Sequence, residues 1–414
     1  MKQFFNLIFL LFFVIHSAFG QQAAEHIRVL ASPEFHGRGY YKNGDRKAAE
    51  YIRKQFINYG LQPVNGSYFQ PFTFPVNTFP GKMKVVAGNT LLSPGRDFIV
   101  SPSCPGIKGT FELVYLTSID QVFESNSLNN KFLVVDKSAF PDSLSTKIDS
   151  FIKSPPSCKG LIILEPKKLT WSVSGKVNER AIIRVLTASW PQKTTTITLN
   201  IQNKLISEYH SQNVMGMIPG TTNKDSFIVF TAHYDHLGRM GKEALFAGAN
   251  DNASGTSMIL ELAKFYAQPQ NRPAKSLLFI AFAGEEAGLI GSKYYTQQPP
   301  LPLGNIRFLL NLDLMGNGEE GMMVVNGEIH PEEFALLEKI NSEMQLLPVI
   351  GKRGKAANSD HYWFSEKGVP AFFFYTTGGS KAYHDIDDLP GVIRLAEFED
   401  VQTLIKEFVR QTGQ

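Results

Sequence analysis

Four apolar runs in the C-terminal half of the sequence each lead into residues that bind metal ions or move protons. Phe227 to Ala232 ends at His233, Leu277 to Ala283 at Gly284-Glu285-Glu286, and Arg307 to Leu312 at Asp313. Ala371 to Tyr375 leads through a short glycine loop to Tyr383-His384. A further acid, Asp251, lies in Gly248-Ala249-Asn250-Asp251-Asn252-Ala253-Ser254-Gly255, just before a helical pattern. Each residue alone has a plain structural reading. A histidine after a strand is usually only hydrogen-bonded, a glutamate pair suits a helix start, and an aspartate caps a turn or helix. Together they point to a metal centre. Imidazole nitrogen and carboxylate oxygen are zinc ligands, and carboxylates crowded together without a cation repel until some protonate. Asp251, Glu286 and Asp313 bring three negative charges, which suits two zinc ions with Asp251 between them. Glu285, beside Glu286 but not itself needed as a ligand, can take the proton of an attacking water. Asp235, two residues past His233, can hold the second ring nitrogen of that histidine, or is an ordinary loop acid. His236 reads as a neighbour and not a ligand.

Such residues converge only if the runs are strands sharing one end. Ser254 to Ala267 reads as a helix with Met258, Ile259, Leu262 and Phe265 inward, Pro331 to Met344 as another opened by proline, and Val401 to Val409 as part of a third. Alternating strands and helices predict an α/β fold, a mixed and largely parallel sheet flanked by helices. Ligands in such sheets sit beyond the carboxyl ends of the strands. Earlier, Asp45 to Gly60 reads as a helix capped by Asp45 and stopped by Gly60. Between them the runs Phe111 to Leu116, Lys131 to Val135, Gly160 to Leu164, Ala181 to Leu186 and Thr194 to Ile201 are short, β-rich and separated by polar turns. The expected organisation is an export signal over 1–20, the first part of a catalytic domain over 21–82, an inserted β-rich domain over 83–204, and the rest of the catalytic domain over 205–414.

With 414 residues, 43% hydrophobic and 19% charged, the chain suits two packed domains. A net charge of +3 without a basic block leaves no electrostatic footprint for nucleic acid. Met1-Lys2, the apolar run Phe4 to Ile15, and small residues at Ala18 and Gly20 predict a secretory signal removed before Gln21. The run is short for a membrane span, so no stable membrane anchor is expected and the mature protein is periplasmic or extracellular. Cys104 and Cys158 either form a disulfide, which export permits, or are separate buried thiols. The sequence contains no Gly-x-Ser-x-Gly elbow and no His-Glu-x-x-His helix. Ser359-Asp360-His361 are too close along the chain to be taken for a triad.

In order, His233-Tyr234-Asp235-His236-Leu237-Gly238, Gly248-Ala249-Asn250-Asp251-Asn252, Gly284-Glu285-Glu286, Asn311-Leu312-Asp313 and Tyr383-His384 resemble the motifs of metallopeptidase family twenty-eight, the co-catalytic di-zinc aminopeptidases. Asn213-Val214-Met215-Gly216, Leu30-Ala31-Ser32-Pro33-Glu34 and Gly37-Arg38-Gly39 resemble it too, and the middle region is more distantly similar to the protease-associated insert of many members. The resemblance implies peptide substrates, His233 and Asp313 on one zinc, Glu286 and His384 on the other, Asp251 bridging, and Glu285 as general base. It further implies that Tyr383 helps hold the oxyanion and that the Asp251-Asn252 peptide is cis. Asp388 follows His384 at the family spacing, but Asp385-Ile386 stands where Thr-Pro is common, which leaves the loop's shape open. Two other readings share the fold: a glutaminyl cyclase-like acyltransferase with a single zinc, and a non-catalytic binding protein. A full ligand set and the Asn250-to-Gly255 stretch favour the peptidase.

Overall fold

The computed structural model describes residues 21–120 and 128–413. The expected export signal lies outside the described residues. One eight-stranded sheet carries the runs singled out above. Its strands are β1 (Phe69–Thr78), β2 (Lys204–Ile218), β3 (Asn223–His233), β4 (Lys275–Phe282), β5 (Ile306–Leu312), β6 (Gly321–Val325), β7 (Ile350–Arg353) and β8 (Ala371–Thr377). Their spatial order is β1-β2-β4-β3-β5-β8-β6-β7. The central strands β4, β3, β5 and β8 are mutually parallel, whereas β2 joins β4 and β6 joins β8 antiparallel. The sheet is therefore mixed with a parallel centre, as the α/β pattern predicts.

Residue type explains which strands are central. From Ser226 to His233 every residue of β3 is buried, the mark of a strand covered on both faces. Along it Ile228, Phe230 and Ala232 enter one core while Phe227 and Val229 enter another. The first core is closed by helices α1 (Gly44–Tyr59), α2 (Gly255–Ala267), α4 (Pro331–Met344) and α6 (Phe398–Thr412); the second lies under the short α3 (Ile290–Gln297) and α5 (His361–Glu366). β1, at the sheet edge, alternates buried and exposed residues over most of its length. α1 stops at Gly60, whose φ of 81° suits a residue without a side chain. Asp45 does not cap that helix. Asn43 precedes it, and the buried Asp45 carboxylate instead accepts hydrogen bonds from Tyr209 and Ser211 of β2.

A second eight-stranded sheet is built from Met83–Ala87, Thr90–Leu92, Phe98–Val100, Ile107–Tyr115, Phe132–Asp136, Gly160–Glu165, Ala181–Leu186 and Thr196–Ile201. The chain leaves β1 for it and returns into β2, and Thr78 faces Lys204 in the antiparallel β1–β2 pair. Its runs from Ile107 to Leu186 pair in parallel, and a helix, Ser145–Lys153, packs on it through Ile148 and Ile152. That helix was not legible as such in the sequence. The core of this insert also takes in Leu237, Met240, Ala244 and Phe246, which come from the loop after β3. Cys104 and Cys158 are separate thiols in different apolar clusters, and burial pushes Cys104 up to about 12.

Candidate metal centre and active site

The parallel strands end in register and bring their following residues together. His233 closes β3, Asp313 follows β5, and Glu285-Glu286 follow β4 after Ala283-Gly284. His384 arrives on the loop after β8, and Asp251 on the turn before α2. The two oxygens of Asp251 face different histidines. Oδ1 is 3.3 Å from His233 Nε2 and Oδ2 is 3.0 Å from His384 Nε2. His233 Nε2 is also 3.4 Å from Asp313 Oδ1, and His384 Nε2 is 3.2 Å from Glu286 Oε2. All six sequence-derived residues, with Tyr383, line one cavity of about 210 Å³. Two ligand groups, His233-Glu285-Asp313 and His236-Asp251-Glu286, each hold their donor atoms within 4.8 Å of one another.

These residues fit metal ions. Asp313 Oδ1 is buried and makes no hydrogen bond, a costly state that a cation relieves. Each histidine is oriented through its other nitrogen: His233 Nδ1 is 3.1 Å from the Asp235 carbonyl and His384 Nδ1 is 3.1 Å from the Trp171 carbonyl. An Nδ1–H donated to a carbonyl leaves Nε2 bare and aimed at the acids. The Asp235 contact differs from expectation. Its carboxylate is 3.8 Å from His233 Nδ1 and serves other groups, accepting from Tyr40 at 2.6 Å and from the backbone N–H of Glu285 at 3.2 Å and of Glu286 at 3.4 Å. His236, set aside in the sequence, reaches the site: its Nδ1 is 2.7 Å from Glu286 Oε1.

Charge is shared unequally. Burial opposes a charge on His233, yet Asp313, Glu285 and Asp251 hold its pKa well above the usual imidazole range. Burial likewise opposes His384, but Glu286 and Asp251 raise it to about 11. Asp251 is held well below the usual carboxylate range against the cost of burial by His233 and His384. Glu286 is pushed up by burial and by Asp251, but His384 and His236 bring it to about 2. Glu285 goes the other way. Burial raises it well above the usual range, and Glu286, Asp360 and Asp313 add to that while His233 eases it. Asp251 and Glu286 are thus held toward the ionised form and Glu285 toward the protonated one.

Residues 213–409 match the family model described as peptidase family M28. That stretch, a little under half of the chain, is where the likeness to the family lies. Over 195 residues it is 31% identical to the aminopeptidase YwaD of Bacillus subtilis, covering 44% of this chain and 38% of that one. Over 107 residues it is 38% identical to a probable zinc metalloprotease of Pyricularia oryzae, covering 25% of this chain and 21% of that one. The matched segments span less than half the length of these relatives. The fold superimposes on that of BSAP, a zinc aminopeptidase from Bacillus subtilis, with a TM-score of 0.71 at 20% identity over 94% of each chain.

The M28 motifs are held by residues whose roles the sequence did not disclose. Arg38 is fully buried and donates to five carbonyls: Leu30, Tyr234, Ala247, Gly248 and Asp251, at 2.6–3.2 Å. It ties the N-terminal segment to the stretch that follows His233 and leads to Asp251. Asp388 accepts from the N–H of Asn250 at 2.8 Å and of Asp251 at 3.0 Å, and the Asp251-Asn252 peptide is cis. Ser359 donates to Asp313 Oδ2 at 3.0 Å and accepts from Asn311; the Ser359-Asp360-His361 cluster was its signal. At Gly255 an added Cβ would lie 2.3 Å from the Leu312 carbonyl, so only glycine lets α2 start against the end of β5. No local pattern marked Trp171. It lies in the insert, and its N–H also donates to the His384 carbonyl at 2.9 Å. Asp385 and Ile386, the departures from the family pattern, both face that insert: Asp385 pairs with Lys168 at 2.6 Å, and Ile386 packs on the insert's core. Tyr383 is 45% exposed and stacks on His384 with ring centroids 4.0 Å apart.

Proposed function

We propose that the protein is an exported, zinc-dependent exopeptidase that removes residues from peptide N-termini, using two metal ions and Glu285 as general base. The observation that carries this reading is the divided Asp251 carboxylate, one oxygen toward His233, which also faces Asp313, the other toward His384, which also faces Glu286. The match of residues 213–409 to the family M28 model and the names of relatives, an aminopeptidase and a probable zinc metalloprotease, support the same chemistry. In this reading His233 and Asp313 hold one zinc, Glu286 and His384 the other, and Asp251 both. Zinc bound there supplies Lewis acidity toward the scissile carbonyl and makes water a stronger acid. Glu285, whose environment favours a proton, takes the proton of the attacking water and returns it to the leaving amine. Tyr383 donates to the oxyanion. Asp235, bonded to the backbone of Glu285 and Glu286, keeps base and ligand in position. The insert is the protease-associated-like domain. Export rests on the composition of residues 1–20, and among the described residues no helix is long and apolar enough to cross a membrane.

The test is hydrolysis of a panel of aminoacyl chromogenic substrates by the mature protein, before and after chelation and after zinc is restored, with metal counted per chain. Chelator-sensitive, zinc-restored release with two ions per chain is the expected result. One tight ion and no release from any free-amine substrate would instead favour the cyclase-like chemistry.

A further inference from the structure

The cleft holds one cation that the peptidase reading does not use. Arg353 lies at the end of β7, the edge strand of the sheet, and lines the same cavity as the metal-site residues. Gly351, Met323 and Tyr375 face one another in a row across β7, β6 and β8. Arg353 is two residues beyond Gly351, so it leaves the sheet on the same face. From there it leans across β6, and its Nη1 donates to the Tyr375 hydroxyl at 3.0 Å. This bond gives a long, exposed side chain a fixed direction at the cleft.

Its neighbours are otherwise engaged. Lys355 pairs with Glu366, Arg394 lies 3.9 Å from Glu319, and Lys352 sits over the Phe334 ring. Among the described residues no carboxylate lies within the 4.0 Å of a salt bridge to Arg353. A guanidinium has five N–H donors in a planar fork that matches a carboxylate, and only one is committed here, to Tyr375. The same stretch of cavity wall is made by Leu314, Phe373 and Tyr375, with Asn358 as a second polar group. Phe373 and Tyr375 have ring centroids 5.4 Å apart and form a continuous aromatic surface. An apolar wall ending in a directed guanidinium and an amide suits a short aliphatic stem that carries a carboxylate.

Deepening the peptidase reading, on which it rests, we propose that Arg353, positioned by Tyr375, selects peptides that present a carboxylate to this cleft. The carboxylate is either the side chain of an acidic N-terminal residue or the C-terminus of a dipeptide. The guanidinium forms a charge-assisted pair with it, and Asn358 supplies a further donor. A neutral side chain or a capped C-terminus leaves the arginine without that partner.

The experiment compares kcat/KM within two matched pairs of substrates, for the zinc-loaded wild type and for Arg353→Met and Arg353→Lys. Glutamyl against glutaminyl p-nitroanilide probes the side chain; Ala-Ala against Ala-Ala-amide probes the C-terminus. In at least one pair the wild type favours the carboxylate, and that ratio falls about 10- to 100-fold in Arg353→Met, with part of it regained in Arg353→Lys. The pair that responds identifies the source of the carboxylate. If the wild type favours the neutral member of both pairs, or if neither ratio changes in Arg353→Met, the arginine does not select and the proposal is wrong. Hydrolysis that is zinc-dependent but indifferent to Arg353 defeats this proposal alone. Absence of hydrolysis of every substrate defeats the peptidase reading and the proposal with it.

Discussion

At the residue scale, Glu285 and Glu286 are adjacent in sequence yet opposite in electrostatics, one held above and the other below the usual carboxylate range. Removing the first carboxylate should therefore disable proton transfer and spare binding. Glu285→Gln is expected to retain both zinc ions and to lose about 10²- to 10⁴-fold in kcat; metal analysis alongside kinetics checks this, and near-wild-type turnover would remove Glu285 as base. The two histidines around Glu286 should also differ. His384 Nε2 faces Asp251 and Glu286 together, whereas His236 Nδ1 meets Glu286 at 2.7 Å and is 3.9 Å from Asp251. His384→Ala should drop the metal count from two to one, and His236→Ala should leave it at two. The reverse result would exchange their roles. His233, Glu286 and Asp313 were legible because each follows a strongly apolar run, whereas His236 was read as a neighbour only. Arg38 was visible only as part of a short motif, since its five carbonyl partners are scattered from Leu30 to Asp251.

At the scale of elements, the loop that carries His384 is held by the insert and not by its own strand. One backbone bond and the bond of the His384 ring to the Trp171 carbonyl join Trp171 and His384, the Lys168 ammonium meets Asp385, and Ile386 packs against the insert's apolar core. Partners that orient a ligand typically change metal affinity 10- to 100-fold when lost. Asp385→Ala should weaken the more labile zinc about tenfold in a chelator competition, and the exchange Lys168→Asp with Asp385→Lys should recover part of it. Unchanged affinity in the single variant would show that the bonds between Trp171 and His384 hold the loop without the Lys168 pair. The same arrangement accounts for Asp385-Ile386 departing from the family pattern, because both side chains answer to residues of the insert.

At the scale of the whole molecule, the N-terminal segment is bound into the catalytic domain by buried polar groups. Burial raises the Asp45 carboxyl to about 6, partly offset by bonds from Tyr209 and Ser211. An acid with a raised folded pKa favours the fold while protonated; that contribution is complete below about pH 4 and is lost as the pH rises through about 6. A shift of this size corresponds to roughly 3 kcal/mol. Asp45→Asn, which carries no charge to bury, should gain on the wild type by about 2–3 kcal/mol between about pH 4 and pH 7, measured as the difference between their urea unfolding curves. A difference independent of pH would mean that Asp45 is ionised without penalty. Chelation should lower the melting temperature of the zinc-loaded protein, because the ions bind the native state alone.

The sequence by itself determined the parallel centre of the sheet and the candidate ligands at its strand ends. Short runs rich in β-branched and aromatic residues, such as Phe227 to Ala232, suit strands buried on both faces, and the residues next after parallel strands lie at one edge of the sheet. Local chemistry of this kind is written in adjacent residues. Tertiary structure alone decided how those residues are held in place. Asp45 turned from a helix cap into the acceptor of two bonds from β2, Asp235 presented its carbonyl and not its carboxylate to His233, and Trp171 reached His384 across 213 positions of chain. A hydrogen bond or a packed contact depends on distance in space, and for partners on separate elements the sequence records no such distance until both domains have closed around the cleft.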